Sequence, residues 1–155
     1  MTHNKKIKSK LLWKKESMLD GIENIVSSIY LELKQKDTFC IWLRGHLGAG
    51  KTSLTKYLLR QIGLDSKFNI SSPTFTYLFE YNIKNRWYAH MDCYRLAKGT
   101  SLSDDSLFDS QKYSGFIIEW PEQIEDIDDI YPTHILNIEA SEDFTFRHYT
   151  LFEIL

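Results

Sequence analysis

Gly45-His46-Leu47-Gly48-Ala49-Gly50-Lys51-Thr52 is the stretch that decides the fold. Its eight residues fit G-x-x-x-x-G-K-[ST], the pattern of a phosphate-binding loop. The flanks supply the setting this pattern needs. Upstream, Phe39-Cys40-Ile41-Trp42-Leu43 is a short apolar, β-prone run that reads as a buried strand. Downstream, Leu54, Tyr57, Leu58 and Ile62 recur at helical spacing, and Gly63 ends the pattern as a C′ glycine does.

Backbone geometry gives this arrangement its chemistry. Gly45, Gly48 and Gly50 let the loop curl with no Cβ between main chain and ligand. Successive N–H groups then form an anion-binding nest, reinforced by the positive end of the helix dipole. Lys51 reaches the outer phosphates as a point charge, and the Thr52 hydroxyl is placed to ligate Mg²⁺. A nucleoside triphosphate with its magnesium is the ligand such a loop takes.

Working outward, Leu11-Leu12-Trp13 opens a first strand, and Ser17-Met18-Leu19-Asp20 fits a capping box. Ile22, Ile25, Val26, Ile29 and Leu33 then predict an amphipathic helix reaching about Lys36. Beyond Gly63, Pro73 biases Ser72 toward extended backbone. Phe75, Tyr77, Phe79 and Tyr81 alternate with Thr76 and Glu80 at the strand period, and with residues 87–92 they predict a β-hairpin. A short helix is expected over 102–108. Gly115-Phe116-Ile117-Ile118-Glu119 reads as a buried strand closed by an acid, and Pro121 suits the first turn of a short helix. Residues 133–139 and 147–154 read as closing strands. The alternation predicts an α/β fold: a three-layer P-loop NTPase-like domain with a mixed, largely parallel sheet flanked by helices.

The 155 residues suit a single domain, 1–155, with residues 1–10 as a mobile tail. A net charge of −2 gives no global basic field for nucleic acid, despite Lys5-Lys6-Ile7-Lys8-Ser9-Lys10, which reads as solvated. Cys40 and Cys93 make no CxxC pair and no zinc set, so reduced thiols are expected. No stretch is long and apolar enough to span a bilayer, and no signal-peptide core follows the lysines, which predicts a cytoplasmic protein without membrane contact.

A phosphate loop needs a carboxylate at the end of a neighbouring strand. Glu119 emerges where an apolar strand leaves the interior, which makes it the better metal partner on pattern alone. Asp92 ends Tyr88-Ala89-His90-Met91 and either binds Mg²⁺ through water or orients the attacking water. His90 lacks a third ligand nearby and reads as a partly buried polar residue. Trp120 packs against nucleotide or partner, or else in the core. Ser72 and Thr74 lie where nucleotide-sensing loops sit, although a turn capped by hydroxyls explains them equally well.

Four motifs stand in order: GHLGAGKT, SPTFT, HMDCYRL and IIEWPE. Together they resemble the TsaE (YjeE) family, small P-loop ATPases of bacterial tRNA threonylcarbamoyladenosine synthesis, over nearly the whole chain. The resemblance implies that Gly45, His46, Leu47, Gly48, Ala49, Gly50, Lys51, Thr52 and Ser53 bind ATP, and that Thr52 and Glu119 serve Mg²⁺. It gives Asp92 an activity-critical acidic role with Lys51 and Glu119. Ser72 and Thr74 become a switch-like loop, with Trp120 beside the site. Arg147 falls where the family often has an arginine directed at nucleotide. The partners implied are TsaB and TsaD, which carry out the threonylcarbamoyl transfer, with tRNA contacted indirectly. Cys93 stands where the family usually has leucine, and residues 98–114 match its pattern poorly.

A small-molecule or nucleotide kinase is the alternative. Such kinases bring several arginines onto the transferred phosphoryl group from a lid, whereas here the arginines are scattered and residues 98–114 contain none. A GTP switch would need a guanine-reading N-K-x-D segment, which Asn82-Ile83-Lys84-Asn85 does not supply. A module that binds ATP without hydrolysis is set apart by phosphate release. With no arginine finger evident in cis, weak ATPase activity stimulated by a partner is expected.

Overall fold

The computed structural model describes residues 6–68, 77–102 and 109–155. Among them run β1 (Ser9–Met18), α1 (Ile22–Leu33), β2 (Phe39–Arg44), α2 (Lys51–Ile62), β3 (Leu78–Ile83), β4 (Arg86–Asp92), β5 (Tyr113–Glu119), β6 (His134–Ala140) and β7 (Phe146–Ile154). All seven strands join one sheet in the order β1-β7-β6-β2-β5-β4-β3. The central four, β6, β2, β5 and β4, are mutually parallel. Antiparallel pairs close both flanks, β1–β7–β6 on one side and β3–β4 on the other. The mixed α/β sheet is as expected, with its parallel character concentrated at the centre.

Strand β2 reads as unbroken hydrophobicity because both of its faces are covered. Ile41 and Leu43 meet Ile25 and Ile29 of α1 and Leu54 and Leu58 of α2 in one core. Cys40 and Trp42 face the other way, into a second core with Met91, Phe116, Ile118, Ile124 and Ile130. Each fully buried Leu or Ile contributes roughly 1.5–3 kcal/mol. Both α-helices therefore lie against one face. Among the described residues the opposite face is covered by short 3₁₀ turns, Pro121–Gln123 and Asp128–Ile130. The Trp42 indole ties the second of these down, donating to the Ile130 carbonyl at 2.9 Å.

The hairpin forms as predicted. Lys84 and Asn85 turn it with φ of 51° and 64°, the left-handed pair that matches the twist of the flanking strands. Two expectations at the N-terminus need correction. Ser17 does not cap a helix: it pairs with Arg147 within β1, its hydroxyl donates to the Met18 carbonyl, and α1 begins only at Ile22. Residues 1–10 are not a tail throughout, because Ser9 and Lys10 already pair with Ile154 and Glu153. The helix expected over 102–108 falls almost wholly outside the described residues. Cys40 and Cys93 are free and buried. Burial, aided by Asp92, Glu119 and Glu122, pushes the Cys93 thiol up to about 12, so it remains neutral.

Candidate phosphate-binding site

Sheet order places the site. After β2 the chain builds β3, β4 and β5 on one side and then crosses to β6 on the other. The carboxyl end of β2 is thus the point where connections diverge, the usual crevice of an open α/β sheet. The glycine loop leaves β2 there and enters α2 directly.

The loop has the shape its sequence requires. Gly48 and Gly50 hold φ of 80° and 103°, and a Cβ built on either meets nothing within 4 Å. Both therefore front open space in a backbone conformation that side chains rarely adopt. Gly45 is tight instead: a Cβ there would lie 2.7 Å from the Ile138 carbonyl oxygen on β6. Gly50 is the N-cap of α2, and no side chain caps the helix. The first-turn N–H groups and the helix dipole thus meet the cleft, an arrangement suited to an anion.

Lys51 is 5% exposed although charged. Its ammonium donates to the Gly45 carbonyl at 2.5 Å and the His46 carbonyl at 3.0 Å, and stands 4.3 Å from the centre of the Trp120 ring. Burial lowers its pKa, opposed by the charges of Glu119, Glu122 and Asp92. The cleft, about 310 Å³, is lined by Leu47, Gly48, Gly50 and Ser53 of the loop and α2, and by Lys51, Thr52, Asp92, Tyr94, Glu119 and Trp120.

The acids arrive by strand alternation. Tyr88 and Ile117 share the core under α2, whereas Ala89, Met91, Phe116 and Ile118 face the other way. At period two, His90 and Asp92 follow Tyr88, and Glu119 follows Ile117. Asp92 lies opposite Glu119 in the β4–β5 register. The Thr52 hydroxyl, in the first turn of α2, donates to Glu119 Oε1 at 3.0 Å. Glu119 Oε2 lies 2.6 Å from His90 Nε2. Asp92 Oδ1 accepts from the Tyr94 backbone at 3.1 Å.

Among the described residues no cluster of three or more His, Cys, Asp and Glu side chains could hold a metal unaided. A hydroxyl and a carboxylate 3.0 Å apart beside an anion cradle nevertheless fit magnesium, which takes few protein oxygens and completes its shell with water and phosphate.

Trp120 sits at φ 57°, ψ 50°, a left-handed backbone uncommon for a bulky residue. Its ring packs on Tyr94 with centroids 4.9 Å apart, so it flanks the cleft and does not belong wholly to the core. Arg147 does not line the cleft. It is buried, and its Nε donates to the Ala49 carbonyl at 3.1 Å while Nη1 donates to Phe144 at 2.9 Å. The guanidinium therefore braces the loop against β7. Ser72 and Thr74 lie outside the described residues. Tyr94 on the cleft and Glu122 near Lys51 have no role assigned from the sequence, and His90, expected to be partly buried, is completely buried. Tyr94 carried one signal, an aromatic two positions beyond a strand-end acid.

Residues 17–148 match the family model described as threonylcarbamoyl adenosine biosynthesis protein TsaE. The chain is 38% identical over 98 residues to the tRNA threonylcarbamoyladenosine biosynthesis protein TsaE of Haemophilus influenzae. That match covers 63% of this chain and 61% of the relative, so the chain spans about three fifths of that protein's length. It is 31% identical over 129 residues to the protein of the same name from Aquifex aeolicus, covering 79% of this chain and 89% of that one. The crystal structure of Bacillus subtilis YdiB has the same fold, with a TM-score of 0.64 at 24% identity over 96% of this chain and 88% of that one.

Proposed function

Because this chain belongs to the TsaE family of threonylcarbamoyl adenosine biosynthesis proteins, we propose that it is a magnesium-dependent ATPase supporting that tRNA modification. In this reading it works with TsaB and TsaD, leaves the transfer to them, and acts in the cytoplasm without contacting tRNA directly. The whole chain serves as one ATPase domain.

The observation that carries the reading is the Thr52–Glu119 bond at the mouth of the glycine loop. The loop amides and the α2 dipole bind the phosphates. Lys51, held by two loop carbonyls, keeps one of its three donors for a phosphate oxygen. Thr52 and Glu119 are the residues that would hold Mg²⁺, each carboxylate oxygen retaining a lone pair beyond its present bond. The ion, when bound, neutralises charge that builds on the phosphates. Asp92, facing Glu119 across the register, holds the ion through water or orients the attacking water for in-line displacement. Among the described residues that line the cleft there is no arginine, which supports low activity alone and stimulation by a partner. Ser72 and Thr74 serve as a nucleotide-sensing segment and Trp120 as a flank open to partners.

The test is phosphate release from ATP, measured with and without the TsaB–TsaD pair. Slow release by the chain alone, raised by the pair, is expected. No release in any combination would refute the ATPase reading. Transfer of the γ-phosphoryl group to a small molecule would replace it with the kinase.

A further inference from the structure

His90 is completely buried, and the described structure gives its ring one polar contact, Nε2 to Glu119 Oε2 at 2.6 Å. Its Nδ1 is also buried and has no hydrogen-bond partner among the described residues. Burying an imidazole costs free energy unless a hydrogen bond offsets the lost hydration. The bond to Glu119 is therefore what justifies a polar ring between Tyr88 and Asp92 on the α2-facing side of β4. An ionised carboxylate only accepts, so Nε2 carries the hydrogen in this bond.

The position matters as much as the bond. In the parallel β4–β5 register His90 stands opposite Ile117, two residues short of Glu119, and reaches that carboxylate diagonally. The carboxylate is consequently gripped at both oxygens, by an imidazole from the neighbouring strand and by the Thr52 hydroxyl from α2. A glutamate has three side-chain torsions, and two opposed anchors leave it one orientation. Without His90, the Thr52 bond alone would have to hold that orientation.

We propose that His90 is a positioning residue for Glu119, fixing its carboxylate so that the second oxygen faces Thr52 and the phosphate end of the cleft. The catalytic consequence rests on the ATPase reading above, whereas the positioning itself does not. Groups that orient a metal-binding carboxylate or imidazole typically cost about 10–100-fold in activity or metal affinity when removed.

The test compares His90→Leu, His90→Gln, Glu119→Gln and the Glu119→Gln/His90→Leu double variant in the 155-residue chain. In a crystal structure of nucleotide-free His90→Leu, Glu119 is expected to leave Thr52. An unchanged Thr52–Glu119 contact would overturn the inference. In ATP hydrolysis, His90→Leu should lower kcat about 10–100-fold with KM little changed, and His90→Gln, which keeps an amide donor, should recover most of the loss. The double variant should be no slower than Glu119→Gln alone; a further independent loss would show that His90 acts elsewhere and overturn the proposal. If His90→Leu does not fold, the structure of His90→Gln decides: an amide bonded to Glu119 is expected, and an unmoved Glu119 without that bond overturns it. A wild-type chain that hydrolyses no ATP would defeat the ATPase reading, while the crystallographic comparison still judges the positioning.

Discussion

Lys51 and Glu119 are both nearly buried and oppositely charged, and each is held by groups that fit its charge. Lys51 rests on two carbonyl oxygens and an indole face, Glu119 on a hydroxyl and an imidazole. Removing either changes the charge presented to the phosphates. Lys51→Ala is expected to lower ATP turnover by about 10²–10³-fold, the usual cost of losing one preorganised donor to transition-state charge. Glu119→Gln should lower turnover while nucleotide affinity without metal stays near wild type, since the proposed phosphate contacts are those of the loop and α2. Stopped-flow phosphate release paired with calorimetric titration of nucleotide separates the two effects. Full turnover in Glu119→Gln would remove that residue from its role.

At the scale of elements, Arg147 joins β7 to the glycine loop, 98 residues away in sequence. Its bonds to the Ala49 and Phe144 carbonyls tie the glycine loop to the start of β7. Arg147→Ala should destabilise the chain by about 1.5–3 kcal/mol, the range for a hydrogen bond to a charged group, and weaken nucleotide binding through a looser loop. Denaturant unfolding checks the first expectation and titration the second. The far flank offers a pH test. Glu80 on β3 accepts from the Tyr113 hydroxyl and from Lys112, which hold its carboxyl below the usual range. A pKa lower in the folded state contributes stability that is complete above the unfolded value, near ~4.3, and is lost as pH falls through the folded one. The difference in thermal stability between wild type and Glu80→Gln should therefore be widest above about pH 5 and close in acid.

These elements also show what the sequence could and could not reveal. The glycine loop, β2 and α2 were legible because each rests on local pattern: an apolar run, three glycines and a helical repeat ended by Gly63. Glu119 was legible as an acid closing such a run. His90 was not, because its partner lies 29 residues away on a neighbouring strand and only the parallel register brings them together. Ser17 misled for the converse reason. Ser-x-x-Asp satisfies the local capping pattern, but pairing with β7 holds Ser17 and Met18 in β1, opposite Arg147 and Phe146. The role expected of Arg147 was direct contact with nucleotide; its buried bonds to main-chain carbonyls depend on the β6–β7 turn, which no spacing encodes.

For the molecule as a whole, the site lies where the central parallel strands end, and among the described residues the cleft is walled by the glycine loop, the first turn of α2 and the ends of β4 and β5 with the segments that leave them. Ligand binding should therefore stabilise the entire fold. Nucleotide with magnesium at a hundredfold excess over its Kd should add about 2.7 kcal/mol, a rise of roughly 5–10 °C in Tm for a chain of this size. Scanning calorimetry across a nucleotide series, with and without a chelator, checks this and separates the contribution of the ion. An unshifted transition at saturating nucleotide would contradict it.

The two ends of the sheet differ from its centre in what they must avoid. Among the described residues β1 has β7 as its only strand neighbour, so one side of its backbone is an open ladder. An open ladder invites a strand from another copy of the chain. Lys10 and Lys14 stand exposed along it, each carrying a hydration shell that an incoming strand would have to strip away. Charge along this open side thus raises the cost of adding a strand, which disfavours edge-to-edge pairing between copies of the chain.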